Sequence, residues 1–257
     1  MRYALLADIH ANLPALEAVL ADLDAREDID AVYHLGDLVG YAPWPNEVVA
    51  LLRQRAIPGV AGNYDSTTAT AHEHCGCRYE DPAQEALSHE SYAWTRAHAS
   101  PETKAWLGGL PFRIDLRPLG GHAAGPRLFL VHGNPVLNTV YWTEDRSDDF
   151  CRKMAGHLGA NVADAIAFGH THRPWHRDVD GIHFVNAGSV GRPKDGDWRA
   201  AYALLEIGEG DPRAEFVRVE YDLDRAMAGI QESGLPDEFA DYLESGGMPK
   251  ERAADAG

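Results

Sequence analysis

Short apolar runs that each end in an Asp, His or Asn constrain this chain more than any other feature of its sequence. The first run, residues 3–7, is followed at once by Asp8 and His10, which lie on the same side of an extended backbone. The second run, residues 31–35, is followed by Asp37. In an α/β sheet, ligand-binding residues follow the carboxyl ends of the strands. The pattern therefore predicts an α/β fold with one site along a sheet edge.

A third run, residues 56–60, ends in Asn63, Tyr64 and Asp65, and helical patterns follow the first two runs. Gly, Asn and Asp are common in turns for backbone reasons alone, so any one of these loops is equally well explained as a turn. Three strand ends of this kind in series favour a shared site instead.

Two later runs repeat the arrangement, since residues 127–131 precede His132 and residues 164–168 precede His170 and His172. Two His separated by one residue after a buried strand are the strongest single indication of metal ligands in the chain. Carboxylate, imidazole and amide groups suit Mn²⁺, Fe²⁺, Zn²⁺ or Ni²⁺, and seven of them are too many for one ion. We therefore predict two divalent ions that share a carboxylate. The candidate ligands are Asp8, His10, Asp37, Asn63, His132, His170 and His172.

Composition excludes several classes of partner. The chain has 257 residues, with 23 Lys and Arg against 40 Asp and Glu, which gives a formal charge of −17. This charge opposes binding to long nucleic acids or to an anionic membrane. The three Cys are too few for a disulfide framework, and the N-terminus lacks the pattern of a signal peptide. We expect a cytoplasmic protein.

We predict one domain over residues 1–245, with a helical, cap-like insertion at about residues 66–110 and a flexible tail at 246–257. The last strands, residues 182–186, 201–207 and 214–221, are predicted to complete a second sheet.

Two loops leave alternatives open. Residues 72–77 contain two His and two Cys, which could bind a further metal or form a mobile loop at the entrance of the site. The glycine-rich residues 186–192 could bring backbone N–H groups and Arg192 to an anion, or could simply be a tight turn.

The ordered motifs D-x-H, G-D-x-x-G, G-N-x-D, V-H-G and G-H-T-H resemble those of the calcineurin-like metallophosphoesterases over nearly the whole chain. The similarity is closest to small bacterial and archaeal phosphoesterases of the diadenosine-tetraphosphatase-like or phosphodiesterase type, which share the GDLVGY-type and GSVG-type loops. The resemblance implies a four-layer αββα sandwich of two mixed sheets flanked by helices.

The resemblance also implies roles for the candidate ligands. The first metal would be held by Asp8, His10, Asp37 and His172, and the second by Asp37, Asn63, His132 and His170. A hydroxide bridging the two ions would then attack a small phosphate ester, phosphodiester or nucleotide. The oligomeric state is left open.

One position departs from the family pattern. The usual motif is G-N-H-D, whose His is taken to protonate the leaving group while the following Asp orients it. Here Tyr64 stands in the place of that His and is followed by Asp65. Tyr64 and Asp65 are therefore candidate catalytic residues, with leaving-group protonation in doubt.

Rival interpretations keep the fold and change the function. The chain could be a scaffold with weakened catalysis, like the retromer subunit that resembles this family, or a metal-dependent nucleotide-binding protein. The presence of all seven ligand-type residues favours the phosphoesterase, because a scaffold has no need of them.

Overall fold

The computed structural model describes residues 1–77, 82–117, 125–208 and 210–248. Its strands are β1 (Arg2–Leu6), β2 (Ala31–His34), β3 (Ile114–Leu116), β4 (Leu128–Leu130), β5 (Ala165–Phe168), β6 (Trp175–Val179), β7 (Ile182–Asn186), β8 (Ala200–Gly208) and β9 (Gly210–Val219). Its helices are α1 (Leu13–Asp24), α2 (Pro45–Gln54), α3 (Asn63–Ala69), α4 (Pro82–His98), α5 (Pro101–Leu107), α6 (Asp148–Leu158), α7 (Leu223–Ser233) and α8 (Glu238–Glu244).

The strands form two mixed sheets, in the orders β2-β1-β8-β9 and β3-β4-β5-β7-β6. Strands β1 and β2 are parallel, and so are β4, β5 and β7. The remaining pairs are antiparallel. Because parallel strands point their carboxyl ends to the same edge, the loops after β1, β2, β4 and β5 are brought close together.

Alternate residues of each strand face different layers. In β1, Leu5 packs into the apolar core between the two sheets, whereas Leu6 packs with helices on the outer face of the first sheet. In β5, Ala167 faces the same inter-sheet core and Phe168 faces α6. Helices, two sheets and a further helix therefore form four layers, which confirms the predicted αββα sandwich.

Helix α1 shows why the sequence begins a helix where it does. The Asn12 side chain accepts a hydrogen bond from the Ala15 N–H (3.2 Å), and Pro14 lies in the first turn. The buried face carries Leu16, Leu20 and, one turn later, Leu23. This helix starts at the predicted position and covers the first sheet directly beside the D-x-H loop.

The assignment of the last strands to the second sheet is wrong in part. Strand β7 joins that sheet, but β8 crosses back and pairs antiparallel with β1, with Leu5 opposite Ala203. Strand β9 then pairs with β8. Alternation of apolar residues shows that a strand has a buried face, but it does not say which sheet the strand joins.

Two further local predictions differ from the structure. Residues 56–60 form no regular strand, and only Gly59 makes a single bridge, to His34. Strand β6 was not predicted, although Asp180 and Gly181, which link it to β7, both have positive φ (54° and 78°) and form a typical hairpin signal.

The region predicted as a helical insertion contains α4, α5 and most of α3, which begins at Asn63. Asp81, the predicted start of α4, lies outside the described residues. Residues 246–248 of the predicted tail follow α8, and the Gly246 carbonyl accepts a hydrogen bond from Gly196 (3.0 Å). Residues 249–257 lie outside the described ranges. In the described residues, no helix has both the length and the apolar character needed to cross a membrane.

Buried His34 generates a prediction about pH and stability. In the described part of the protein neither ring nitrogen has a hydrogen-bond partner, and burial lowers the pKa of His34 from 6.5 to about 3. Between these values the unfolded chain binds a proton that the folded protein does not, so this residue makes the free energy of unfolding fall as pH decreases.

We expect His34→Leu to remove up to about 2 kcal/mol of the stability loss between pH 7 and pH 5, as measured by urea unfolding. The control is His157→Leu on the exposed face of α6, which should keep the wild-type pH dependence. An equal loss of stability in wild type and His34→Leu would contradict the effect assigned to burial.

Candidate metal centre

Side chains that follow four parallel strands meet in two buried groups. The first group consists of Asp8, His10 and His172, and the second of Asp37, His132 and His170. Within each group the potential ligand atoms lie within 4.8 Å of one another. The Asn63 Oδ1 lies 3.1 Å from the His132 Nε2 and adds an amide oxygen to the second group. The structure therefore brings all seven predicted ligand residues together.

Asp37 lies between the two groups. Its Oδ2 is 3.4 Å from the His132 Nε2 and 3.9 Å from the His10 Nε2. Its Oδ1 accepts a hydrogen bond from the Tyr64 N–H (2.9 Å), which fixes the carboxylate plane. One oxygen of Asp37 thus faces both groups, as a bridging ligand requires.

Three of the four imidazoles are oriented by the backbone. Their Nδ1 atoms contact carbonyl oxygens: His10 with Val39 (3.1 Å), His132 with Leu35 (2.8 Å) and His172 with Arg192 (2.6 Å). A carbonyl oxygen only accepts, so each Nδ1 carries the proton and donates it. In a neutral imidazole the Nε2 then keeps its lone pair and is free to bind a metal.

These lone pairs face one another at short range. The Nε2 atoms of His10 and His172 are 3.1 Å apart, and the His132 Nε2 is 3.2 Å from the His170 Nδ1. Beside the first pair, the Asp8 Oδ1 is buried and has no hydrogen-bond partner in the described part of the chain. Lone pairs at this distance repel unless a proton or a metal ion lies between them, so each group fits a divalent ion with nitrogen and oxygen ligands.

The pKa values of the buried residues in the two groups agree with this interpretation. Burial raises the pKa of Asp8 to about 8 and lowers the pKa values of His10 and His170 to about 3. Burial also acts to lower the pKa of His132, but the neighbouring Asp37 carboxylate more than offsets this and raises it to about 9. A bound cation would oppose the effect of burial on the carboxylates and take the place of the His132 proton.

The backbone is strained where these side chains begin. Five of the seven residues have φ between 49° and 67°, in the left-handed region: Asp8, His10, Asp37, His170 and His172. Non-glycine residues in this region cost about 1–3 kcal/mol each and persist only where surrounding contacts hold them. Here the loops hold one another through hydrogen bonds such as His10 N–H to the Asp37 carbonyl (3.0 Å) and Gly169 N–H to the His132 carbonyl (2.8 Å).

Close approach of two loops also requires glycine. A Cβ on Gly62 would lie 2.1 Å from the Asp37 Oδ1, and a Cβ on Gly36 would lie 2.3 Å from the Gly62 nitrogen. Any larger residue at either position would push α3 away from the loop after β2. The G-D and G-N motifs therefore set the distance between Asp37 and Asn63.

Tyr64 is 1% exposed and packs among aromatic rings, with ring centroids 5.0 Å from Tyr41, 5.7 Å from Tyr92 and 5.4 Å from His10. Asp65 is fully buried, and its carboxylate has a different set of neighbours. It accepts hydrogen bonds from the N–H groups of Gly62 (2.9 Å), Asp37 (2.8 Å) and Leu38 (2.9 Å). Asp65 thereby ties the start of α3 to the loop after β2.

The loop at residues 72–77 lies at the second group. Asn63 donates from its Nδ2 to the Cys75 carbonyl and to the Cys77 Sγ (both 3.1 Å), which turns its Oδ1 towards His132. No further metal group is found in the described ranges, and residues 72–74 are exposed. Within the described ranges, Cys75, Cys77 and Cys151 form no disulfide.

The glycine-rich loop at residues 186–192 uses its backbone N–H groups inside the protein. Val190 donates to the Ala7 carbonyl (2.9 Å) and Gly191 to the Asp8 carbonyl (3.1 Å), while the Arg192 N–H donates to the Ser189 Oγ (2.8 Å). The tight-turn interpretation is therefore correct for the backbone of this loop, which braces the D-x-H loop.

Sequence reasoning missed several residues that surround the two groups. The Tyr141 ring lies 4.4 Å from the His170 ring, and the Tyr41 ring lies 4.8 Å from the His10 ring. Lys194 is partly buried, and burial lowers its pKa to about 7. Tyr41 ends the GDLVGY motif and Lys194 follows the glycine-rich loop, but neither has a spacing that points to a role.

The chain is similar to known proteins over most of its length. A model of the calcineurin-like phosphoesterase superfamily domain matches residues 1–210. The uncharacterized protein MJ0912 of Methanocaldococcus jannaschii is 31% identical over 263 residues, which cover 93% of this chain and 96% of that protein.

Two solved structures resemble the whole chain. A metallophosphoesterase from Sphaerobacter thermophilus has a TM-score of 0.72 and 29% identity, covering 96% of this chain and 100% of that chain. The hypothetical protein PH1004 from Pyrococcus horikoshii OT3 has a TM-score of 0.78 and 23% identity, covering 97% and 99%. The latter likeness shows the fold alone. Because the domain match spans most of the chain, the protein belongs to the calcineurin-like phosphoesterase superfamily.

Proposed function

We propose that the protein is a metal-dependent phosphoesterase that uses two divalent ions to hydrolyse small phosphate esters, phosphodiesters or nucleotides. The observation that carries this proposal is the position of Asp37, one oxygen of which faces both buried groups. Membership of a phosphoesterase superfamily supports the reaction class. The identity of the metals is left open among Mn, Fe, Zn and Ni.

The seven residues would divide between the two ions. Asp8, His10, Asp37 and His172 would hold the first, and Asp37, Asn63, His132 and His170 the second. Ions bound there would neutralise phosphoryl charge and activate water as the nucleophile. Three of the imidazoles would bind through Nε2 and His170 through Nδ1, because these are the atoms that face inward.

Hydrogen bonds within the chain fix the orientation of the side chains that would bind the metal ions. Nδ1–H hydrogen bonds to carbonyl groups fix the imidazole planes, and Asn63 is held by the Cys75 carbonyl. The Lys194 N–H donates to the His172 carbonyl (3.3 Å), so a cationic residue adjoins a site whose candidate ligands are neutral or anionic. An acidic protein of formal charge −17 can therefore attract an anionic ester at this one place.

The role of Tyr64 follows from its chemistry and its surroundings. A phenol with an ordinary pKa near ~10 is a weaker acid than an imidazole near ~6.5, so it is less able to protonate an alkoxide that leaves at neutral pH. We propose that substrates with leaving groups of low pKa, or phosphodiesters, are preferred over alkyl phosphomonoesters. Asp65 would act as a positioning residue for the loop that carries Asp37.

Replacement of Asp37 tests the shared ligand. We expect Asp37→Ala to lower bound metal from two ions per chain to one or none, measured by elemental analysis after purification without chelators. Because both ions lose a ligand, hydrolysis of a bis-aryl phosphodiester should fall by about 10³-fold or more. The control Asp211→Ala removes an exposed carboxylate on β9 and should keep both values.

Wild-type metal content and turnover in Asp37→Ala would contradict the shared-ligand assignment. A wild-type protein that binds two ions but hydrolyses neither an aryl monoester nor a bis-aryl diester with Mn²⁺, Ni²⁺, Zn²⁺ or Mg²⁺ would favour the scaffold or nucleotide-binding interpretation.

Replacement of Tyr64 tests leaving-group protonation. We expect Tyr64→His to speed hydrolysis of alkyl phosphomonoesters by about 10²-fold, within the range a general acid contributes, with a smaller effect on aryl esters. The measurement is the slope of log rate against leaving-group pKa for wild type, Tyr64→His and Tyr64→Phe. Tyr92→Phe, which alters a ring that packs on Tyr64, is the control for packing. Identical slopes for all variants would show that Tyr64 only shapes the site.

A further inference from the structure

Two cationic side chains beside the metal centre, Arg192 and Lys194, form no ion pair with a carboxylate in the described part of the chain. Some arginines pair with carboxylates, as Arg127 does with Asp164 (2.7 Å) and Arg177 with Asp148 (2.6 Å). Others without an ion pair in the described ranges, such as Arg146 and Arg173, are exposed to solvent. Arg192 differs from these because it is buried, so water does not take the place of the missing carboxylate.

Arg192 is only 6% exposed, and its Nε is buried without a hydrogen-bond partner in the described ranges. Its guanidinium carbon lies 4.1 Å from the centroid of the Tyr41 ring and 5.5 Å from the centroids of the Phe239 and Tyr242 rings. Stacking on aromatic rings offsets part of the cost of burying a charge, but it satisfies none of the N–H donors. The Nε donor of this guanidinium is therefore left for a partner that the described residues do not supply.

The Tyr41 ring separates Arg192 from the first metal group, because its centroid is also 4.8 Å from that of the His10 ring. The His172 Nδ1 donates to the Arg192 carbonyl (2.6 Å), and the Lys194 N–H donates to the His172 carbonyl (3.3 Å). Arg192 and Lys194 therefore both flank His172, a residue of the first group.

We propose that Arg192 and Lys194 form an anion subsite that binds a second phosphate group of the substrate while the scissile phosphoryl group occupies the metal centre. Lys194 contacts the inner phosphate, and Arg192 binds the outer one through its planar, bidentate donors. This inference rests on the proposed function, and it narrows the substrate to compounds that carry two phosphate groups.

Titration calorimetry on the metal-loaded protein tests this subsite with three probes: inorganic phosphate, pyrophosphate and the bisphosphate ester of ethanediol. We expect wild type to bind at least one two-phosphate probe more tightly than phosphate. Arg192→Gln should reduce that preference by about 10- to 100-fold, the effect of losing a charge-assisted hydrogen bond. The probe that is preferred shows whether the second phosphate is linked through an anhydride or through an ester.

Two further variants sharpen the assignment. Arg192→Lys keeps the charge and should retain part of the preference, whereas Lys194→Gln should weaken binding of all three probes. The control Arg225→Gln removes an exposed arginine on α7 that pairs with Glu17, and it should leave the preference intact. If Arg192→Gln fails to fold, as judged by thermal unfolding, Arg192→Lys and Lys194→Gln supply the test.

A preference that is absent in wild type, or is unchanged in Arg192→Gln, would overturn the subsite and leave Arg192 as a structural link between Tyr41 and α8. Binding also separates this inference from the proposed function. Arg192-dependent binding in a protein that hydrolyses no ester would support the subsite and contradict the phosphoesterase. Hydrolysis by a protein that shows no preference for a two-phosphate probe would support the phosphoesterase and contradict the subsite.

Discussion

Close packing of ligand atoms in a buried space, where lone pairs repel unless a proton or a metal ion lies between them, is the constraint on which the site depends. Imidazole and carboxylate donors face one another at 3.1–3.4 Å in a buried space, and hydrogen bonds from Nδ1 to backbone carbonyls prevent three of the rings from turning away. Left-handed backbone at five of these residues adds strain to the repulsion. A pair of divalent cations would relieve the repulsion and stabilise the loops that hold the donors, so fold stability and function share one cause.

The sandwich supplies the rigidity that this arrangement needs. Residues such as Leu5, Leu130 and Val185 fill the core between the sheets, so the carboxyl ends of parallel strands from both sheets reach one edge. Loops from each sheet then bond to loops from the other, as the Val190 N–H does to the Ala7 carbonyl. The formal charge of −17 opposes the binding of anions in general, and the proposed metal ions together with Arg192 and Lys194 would reverse that effect at one place.

Most of the site residues were predictable from the sequence, because this fold places functional side chains at the carboxyl ends of strands. The strands themselves can be recognised in the sequence as apolar runs. Asp8, Asp37 and His132 each follow such a run, and the structure brings them together. The sheet that β8 joins could not be predicted, since alternation marks a buried face and not a partner. The environment of Arg192 could not be predicted from the sequence either, because its aromatic neighbours Tyr41 and Phe239 come from distant parts of the chain.

Anomalous diffraction from crystals of the Mn²⁺-loaded protein measures the central feature directly. We expect two manganese peaks per chain, one in contact with the Nε2 atoms of His10 and His172 and the other with His132 and the Nδ1 of His170, with the Asp37 Oδ2 in contact with both. A single peak, or peaks away from these atoms, would contradict a binuclear centre built on Asp37.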